Sequence, residues 1–243
     1  INLLFIKAAG GVFDDGGLTP QGYVYLSDDN IGYPVQILIK GAGDSVIVVD
    51  DEDRENEGDF IIPADTARPE DINFMMKHAR GLICVAITEK TSQKLKLNPM
   101  VPSNTSLHET NFTVSVDAIK NATTGISAKD RSNTVQKLSN PKSDKTDFVK
   151  PGHIFPLRYQ KGGVLVRAGH TEGSVDLVKL SGKRPAAVIC EVMNEDGTMA
   201  RYKDLILFAK KHRLKIAKIE DLISHRLRTV SYTHLTLPTI LLV

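Results

Sequence analysis

The segment Val46-Ile47-Val48-Val49-Asp50-Asp51-Glu52-Asp53-Arg54-Glu55-Asn56-Glu57-Gly58-Asp59-Phe60-Ile61-Ile62-Pro63 places an acidic loop between two apolar, strand-like runs. The loop, Asp50 to Asp59, contains seven carboxylates and one arginine, so its formal charge is −6 and the rest of the chain carries +8 to give the net +2. Runs of like charge normally repel each other and stay solvated. Holding this one between two strands costs stability unless a cation or a cationic group relieves the repulsion. The loop is therefore the first candidate for a functional site.

The spacing of the loop carboxylates indicates which ion would suit them. A calcium-binding EF-hand loop starting at Asp53 fails at its twelfth position, because Ala64 stands where a bidentate carboxylate is needed. Carboxylates alone, with several water molecules kept on the ion, suit Mg²⁺ or Mn²⁺. Arg54, inside the same loop, offers a planar fork for a phosphate or a substrate hydroxyl.

Strand and helix patterns alternate from about residue 43 to residue 228. Arg68 to Gly81 has proline and acids in its first turn, basic residues in its last turn and a closing glycine, which predicts a helix. The mixture predicts a layered α/β domain with one mixed sheet. Further strands are predicted at Leu82–Ile87, Phe112–Val116, Val164–Ala168 and Ala186–Cys190, and further helices at Thr88–Leu95, Asp130–Leu138, Glu172–Leu180, Tyr202–His212 and Ile219–Leu227. Asn140 to Gly152 is polar and contains prolines, which predicts a mobile loop.

The two ends differ from this central pattern. Residues 1–43 form an atypical N-terminal extension, rich in glycine and without a convincing period in its first part. Residues 229–243 replace a basic amphipathic helix by a string rich in threonine and leucine, which is typical of a non-native tail. The predicted organisation is therefore one domain at residues 44–228 with an appended segment at each end.

Composition excludes several classes of protein. Of the 243 residues, 41% are hydrophobic and 25% are charged, as in an ordinary globular enzyme. Cys84 and Cys190 both lie in apolar strands, which favours buried free thiols over a disulfide or a zinc site. No run is long enough for a membrane span, and the first residues lack the basic region of a secretory signal. We expect a cytoplasmic enzyme, or one imported into an organelle, with no membrane or nucleic-acid partner.

Three further segments carry chemistry. Arg167-Ala168-Gly169-His170-Thr171-Glu172 follows a predicted strand and opens a helix, where Thr171 can act as the cap and free amides favour an anion such as phosphate. His170 can complete a site begun by a carboxylate of the acidic loop. His153 follows the predicted mobile loop, a suitable place for an acid or base that meets substrate on closure. Glu191 follows an apolar strand that should desolvate it and raise its pKa.

A fourth segment is weaker. Thr123 to Arg131 is a turn rich in hydroxyl groups and glycine that leads into a helix, so it fits either a phosphate cradle or simple turn chemistry.

Taken together, these segments resemble the 3,4-dihydroxy-2-butanone 4-phosphate synthase family of riboflavin biosynthesis. The resemblance covers about residues 44–228. The matching segments, in family order, are the acidic loop, Phe112 to Ala118, Thr124 to Ala128, Gly152 to Arg158, Arg167 to Glu172 and Cys190 to Arg201. The resemblance implies a homodimer with a three-layer α/β/α fold around a mixed, twisted sheet. It also implies a lyase that converts D-ribulose 5-phosphate to L-3,4-dihydroxy-2-butanone 4-phosphate and formate with Mg²⁺ or Mn²⁺.

The resemblance also implies roles for individual residues. Glu55 and His170 would be the metal ligands, and His153 and Glu191 would be essential for catalysis. The substrate would be held by a larger set: Arg54, Glu55, Asp59, Arg167, Ala168, Gly169, His170, Thr171 and Glu191. The residues leave open whether His153 or Glu191 takes the first proton.

Alternatives remain open at this stage. The chain could be a catalytically impaired module that binds a sugar phosphate or a metal. It could be a fragment of a bifunctional synthase/GTP cyclohydrolase II, since some relatives carry that second domain. A third alternative is nucleic-acid binding through residues 201–228, which contain nine basic and three acidic residues.

Overall fold

The computed structural model describes residues 45–235, with side chains described up to residue 228. The extension predicted at residues 1–43 lies outside the described residues, as do residues 236–243 of the predicted tail. Strands and helices alternate along the described part. The strands are β1 (Val46–Val49), β2 (Gly58–Pro63), β3 (Cys84–Ile87), β4 (Val116–Ala118), β5 (Phe148–Arg158), β6 (Ala186–Glu191) and β7 (Lys215–Lys218). The helices are α1 (Pro69–Phe74), α2 (Glu89–Lys94), α3 (Ala128–Ser139), α4 (His170–Leu180), α5 (Tyr202–His212) and α6 (Ile219–Leu235).

The strands form one mixed sheet in the order β4-β5-β3-β6-β2-β1-β7. β3 runs parallel to β5, and β1 runs parallel to β7. The other neighbours are antiparallel, including the β1–β2 hairpin whose connection is the acidic loop. The mixed sheet predicted from the alternating pattern is confirmed.

Helices cover both faces of this sheet. Side chains alternate between the faces of a strand, so neighbouring residues belong to different cores. Ile62 and Val188 belong to the core that also contains side chains of α1, α3 and α5. Ile61 and Ile189 belong to the core that contains side chains of α4 and α6. Burying each such side chain stabilises the fold by about 1.5–3 kcal/mol, and the expected three-layer α/β/α architecture is confirmed.

The strand predicted at Val164–Ala168 is wrong. Residues Gly163–Leu165 form a 3₁₀ turn instead. Gly162 and Gly163 both have positive φ, and the backbone N–H of Val164 donates to the buried carboxylate of Asp176. These tertiary constraints override the β propensity of the apolar run.

Two other loop and strand predictions also need correction. The predicted mobile loop at residues 140–152 is ordered as strand from Phe148 onward, because Phe148 and Val149 pair with β4. The predicted strand at Phe112–Val116 is only two isolated bridges, and β4 itself begins at Val116. Strand β7 was not predicted from its short, lysine-flanked sequence.

The helix predictions are closer to the structure. The helix at Tyr202–His212 is confirmed at both ends. The helix predicted from Arg68 to Gly81 contains α1 followed by a π-helical turn, Met75–Ala79, and ends at Arg80 in a left-handed conformation. α6 continues beyond the predicted end at Leu227 to Leu235. Among the described residues, no helix combines the length and the apolar character needed to cross a membrane.

Candidate active site

The acidic loop folds around the buried side chain of Asp50. One oxygen of this carboxylate accepts the backbone N–H of Glu57 at 2.9 Å. The other accepts the Arg54 guanidinium at 2.7 Å and the backbone N–H of Glu55 at 3.3 Å. Arg54 also lies 2.9 Å from Oε2 of Glu55. The Asp50 carboxylate therefore shapes the loop through hydrogen bonds to its backbone and to Arg54.

His170 meets this carboxylate from the first residue of α4. Its Nδ1 lies 3.5 Å from Oε2 of Glu55 and 3.8 Å from Oδ1 of Asp59. The imidazole is only 6% exposed, and its Nε2 has no hydrogen-bond partner. The predicted proximity of Glu55 and His170 is confirmed. The predicted cap is corrected, because α4 begins after Gly169 and Thr171 lies inside its first turn.

Asp59 and Glu191 are paired neighbours on the antiparallel strands β2 and β6. They follow the same alternation as Ile61 and Ile189, so both side chains lie on the α4 face of the sheet. The Glu191 carboxylate accepts the backbone N–H of Leu82 at 2.9 Å. A Cβ on Gly81 would lie 2.6 Å from Oε2 of Glu191, so glycine is required for this close approach.

Burial and the charges of neighbouring side chains shift the pKa values of Glu55, His170 and Asp59. Partial burial alone would raise the pKa of Glu55, but hydrogen bonding from His170 and the charge of Arg54 lower it to about 2. Burial alone would lower the pKa of His170, but the carboxylates of Asp59 and Glu55 raise it to about 9. Burial raises the pKa of Asp59 well above its usual range, against the attraction of His170 and with added repulsion from Glu191. The site therefore holds excess negative charge that a divalent cation would relieve.

The donor set fits a hard or borderline divalent cation. Ligand atoms of Asp50, Glu55 and His170 lie within 4.8 Å of one another. Oδ1 of Asp59 and Nε2 of His170 are buried without hydrogen-bond partners among the described residues. Buried polar atoms normally have partners. Carboxylate oxygens with one imidazole suit Mg²⁺ or Mn²⁺.

The start of α4, which adjoins this group, has features that favour an anion. The first amides of a helix have no intrahelical acceptors and attract anions. The guanidinium groups of Arg54 and Arg167 both approach Gly169, where a Cβ would lie 3.1 Å from Nη2 of Arg54 and would also collide with Arg167. Arg167 is fixed by Glu172 at 2.6 Å and by the carbonyl of His108 at 2.9 Å. The predicted Arg167–Thr171 segment thus lies beside the predicted metal ligands.

His153 lies within β5, and the residues directly before it are strand from Phe148 onward rather than the predicted mobile loop. Its Nδ1 is 2.6 Å from Oδ2 of Asp117, and its backbone N–H donates to Oδ1 of the same carboxylate at 2.9 Å. Gly125, at φ +93°, lies over this pair, where a Cβ would be 2.7 Å from Nδ1 of His153. A carboxylate on Nδ1 fixes the ring orientation and leaves Nε2 as the free nitrogen. The imidazole is 42% exposed, so that nitrogen is accessible.

The sheet register relates His153 to Glu191. Cys84 on β3 pairs with Phe155 on β5 and with Ile189 on β6. His153 and Glu191 each lie two residues beyond these pairs, and at His153 the pairing of β5 with β4 shifts register between Ile154 and Val149. No direct contact joins His153 to Glu55 or His170 among the described side chains.

The possible phosphate cradle at residues 123–131 is a turn built on Asp130. Its carboxylate accepts the backbone N–H groups of Thr123 and Gly125, each at 3.1 Å. Those amides are therefore not available to a phosphate, and turn chemistry explains the segment.

The sequence missed three residues at the site. Asp117 orients His153, His108 places its Nε2 3.9 Å from Oε1 of Glu55, and Arg201 donates to two carbonyls of the acidic loop. Each contact joins segments that are far apart along the chain. Asp117 and Arg201 lie inside the quoted family segments, but no local pattern distinguishes them from structural residues.

Comparison with known proteins agrees with this geometry. The family model for 3,4-dihydroxy-2-butanone 4-phosphate synthase matches residues 39–225. The chain belongs to this family. The match includes the acidic loop, the start of α4 and the end of β6, the three segments that converge at the site.

Individual relatives extend this finding. Riboflavin biosynthesis protein RibBA of Bacillus cereus strain G9842 is 60% identical over 76% of this chain and 46% of its own length. The 3,4-dihydroxy-2-butanone 4-phosphate synthase of Neisseria meningitidis serogroup B is 55% identical over 78% of this chain and 52% of its own length. The chain thus spans about half the length of these curated relatives. A solved 3,4-dihydroxy-2-butanone 4-phosphate synthase in complex with two magnesium ions is 42% identical, with a TM-score of 0.74, covering 77% of this chain and 92% of the solved one.

Proposed function

We propose that this chain converts D-ribulose 5-phosphate to L-3,4-dihydroxy-2-butanone 4-phosphate and formate, as a lyase of riboflavin biosynthesis. The observation that carries the proposal is the contact between Glu55 and His170, 3.5 Å apart, beside the buried Asp59. The atoms of the substrate are divided between the two products, so the reaction needs no second substrate. It needs proton transfers and stabilisation of charge on carbonyl and hydroxyl oxygens.

Glu55 and His170 would hold Mg²⁺ or Mn²⁺, and the bound ion would polarise those oxygens and stabilise the enediolate that forms when a proton is lost beside the carbonyl. Two protein ligands leave most of the coordination sphere open for substrate and water. The complex of a solved relative with two magnesium ions supports this assignment.

The substrate phosphate would bind at the start of α4. Arg54 and Arg167 converge there, next to Ala168, Gly169 and the first turn of α4, which contains Thr171 and whose first amides have no intrahelical acceptors. Asp59, His170 and Glu191 would then contact the sugar hydroxyls, since their side chains lie on the same face as the start of α4.

Proton transfer would involve His153 and Glu191. Asp117 fixes the His153 ring so that Nε2 can accept or return a proton. Glu191 lies beside Asp59, whose raised pKa allows that carboxyl to exchange a proton near neutral pH. Three groups with different environments can therefore share the proton removal and the later skeletal shift.

We also propose a homodimer in the cytoplasm. Large apolar side chains are exposed beside β4, in the loops before and after it, and in the loop before α4, a pattern typical of an interface. They are Leu107, Ile119, Ile126, Val149 and Val166. Light scattering of the purified protein should give the mass of two chains, and a monomeric mass would contradict this proposal.

The proposed domain is residues 44–228, with the segments on either side dispensable. The core elements β1 to β7 all lie within it. A chain trimmed to these residues should keep the activity of the full chain.

Formate release tests the proposed function directly. Purified protein with D-ribulose 5-phosphate and Mg²⁺ should release formate in step with loss of substrate, and Glu55→Gln should not.

Binding of the sugar phosphate without formate would favour the non-catalytic module. The fragment of a bifunctional synthase/GTP cyclohydrolase II predicts the same formate release for this domain. Salt-sensitive retention on DNA or RNA would instead favour the nucleic-acid alternative.

A further inference from the structure

We propose that Arg201 is a positioning residue for the metal ligand Glu55. Its Nη1 donates to the backbone carbonyls of Glu55 and Asn56, both at 2.7 Å. This nitrogen carries two N–H groups, one for each carbonyl. The inference rests on the proposed metal site, and it adds a residue that touches neither the ion nor the substrate.

The two carbonyls lie at the point where the acidic loop turns. Asn56 has a positive φ of 53°, a conformation that non-glycine residues adopt at a cost. Asp50 fixes the amide side of this turn by accepting the N–H groups of Glu55 and Glu57. Arg201 fixes the carbonyl side. Together these two residues hold the backbone of Glu55 from opposite sides. The fixed backbone restricts the positions that the Glu55 carboxylate can reach.

Arg201 is itself held in place at the start of α5. Its backbone N–H donates to the carboxylate of Asp204 at 3.0 Å, which forms a capping box. One turn further, Leu205 packs so closely on Gly58 that a Cβ there would lie 2.5 Å from it. The beginning of α5 and the end of the acidic loop are therefore packed as one unit.

Charge alone does not explain this arrangement. Nη1 of Arg201 lies 3.8 Å from the carboxylate of Glu57, and the arginine side chain is 48% exposed. Exposed ion pairs of this kind contribute little. A positive charge beside a cation site would also weaken binding of the ion. Positioning and charge therefore predict opposite effects when Arg201 is removed.

The experiment compares Mn²⁺ affinity in the wild type and four variants by calorimetry, with thermal melting to confirm folding. Arg201→Met removes the donors and the charge, and Arg201→Lys keeps the charge but loses the fork. Lys203→Met is the control, since it removes an equal charge from an exposed position on the same helix. Glu55→Gln reports on the metal site itself.

Loss of partners that orient a metal ligand typically weakens metal affinity by about 10–100-fold. We expect a loss in that range for Arg201→Met, a smaller loss for Arg201→Lys, and unchanged or slightly tighter binding for Lys203→Met. Binding by Arg201→Met as tight as the control would overturn the inference, and if Arg201→Met does not fold, wild-type affinity in Arg201→Lys would do so. If Glu55→Gln binds Mn²⁺ like the wild type, the proposed metal site fails, and the inference fails with it.

Discussion

The Nδ1 atom of His170 lies 3.5 Å from Oε2 of Glu55, although one residue begins α4 and the other lies in the loop between β1 and β2. The contact exists because β2 lies in the middle of the sheet and α4 covers that face. The fold thus brings a carboxylate loop and a helix start to one point. The proposed metal site depends on this contact between Glu55 and His170.

His170→Ala should weaken Mn²⁺ binding by at least about tenfold, because a nitrogen ligand is lost from a site with few protein ligands. Isothermal calorimetry on the folded variant measures this. His78→Ala is a suitable control, since the His78 ring packs with Phe74 and His212 rather than with the acidic loop. Equal affinity in wild type and His170→Ala would remove His170 from the ligand set.

Mn²⁺ affinity should rise with pH up to about 9. Nearby carboxylates raise the pKa of His170 to about 9 in the metal-free protein, so the ring is protonated at neutral pH. A metal needs the unprotonated nitrogen, and binding must therefore release one proton. Below the pKa, each unit of pH should change the affinity by about tenfold. Calorimetry at several pH values, in buffers of different ionisation enthalpy, counts the protons released, and a count of zero at pH 7 would contradict this account.

The same linkage has a consequence for folding. A raised pKa means that the folded state binds the proton more tightly than the unfolded chain does. The stabilisation from His170 is therefore complete below pH 6.5 and is lost as the pH rises through about 9. A saturating divalent cation replaces the proton, so the thermal midpoint of the metal-bound protein should decline less over this window.

His153→Ala should lower kcat by about 10²–10⁴-fold, the usual contribution of a general acid or base. Mn²⁺ affinity should stay within about threefold of wild type, because His153 makes no contact with Glu55 or His170 among the described side chains. This separates His153 from the metal ligands, whose loss changes both quantities. A parallel fall in metal affinity would place His153 at the ion instead.

The sequence predicted the elements better than the contacts between them. The helix at Tyr202–His212 was predicted correctly because its apolar period and its caps are local signals. The strand predicted at Val164–Ala168 was wrong because Asp176, on the following helix α4, accepts the backbone N–H of Val164 and holds it in a turn. The residues suggested that His170 completes a site begun by a carboxylate of the acidic loop, and only the family resemblance singled out Glu55. The spacing along the chain does not place one beside the other.

The sequence did not single out Asp117, whose contact with His153 is seen only in the structure. Its substitution tests the proposed role of His153. Asp117→Asn keeps Oδ1 as the acceptor for the backbone N–H of His153, so the strand pairing should survive. The new amide N–H₂ would face Nδ1, which forces the ring proton onto Nε2, the nitrogen that should act as the base. We expect kcat to fall by about 10²–10⁴-fold, as when the carboxylate of a catalytic triad is replaced by an amide.

The control for this substitution is Asp196→Asn, in an exposed turn where the carboxylate accepts hydrogen bonds from Thr198. It should leave kcat unchanged. If Asp117 acts through His153, the double variant Asp117→Asn/His153→Ala should be no slower than His153→Ala, because residues that act as a unit are not additive. Losses that multiply in the double variant would mean that Asp117 acts independently of His153, and the tautomer argument would then be wrong.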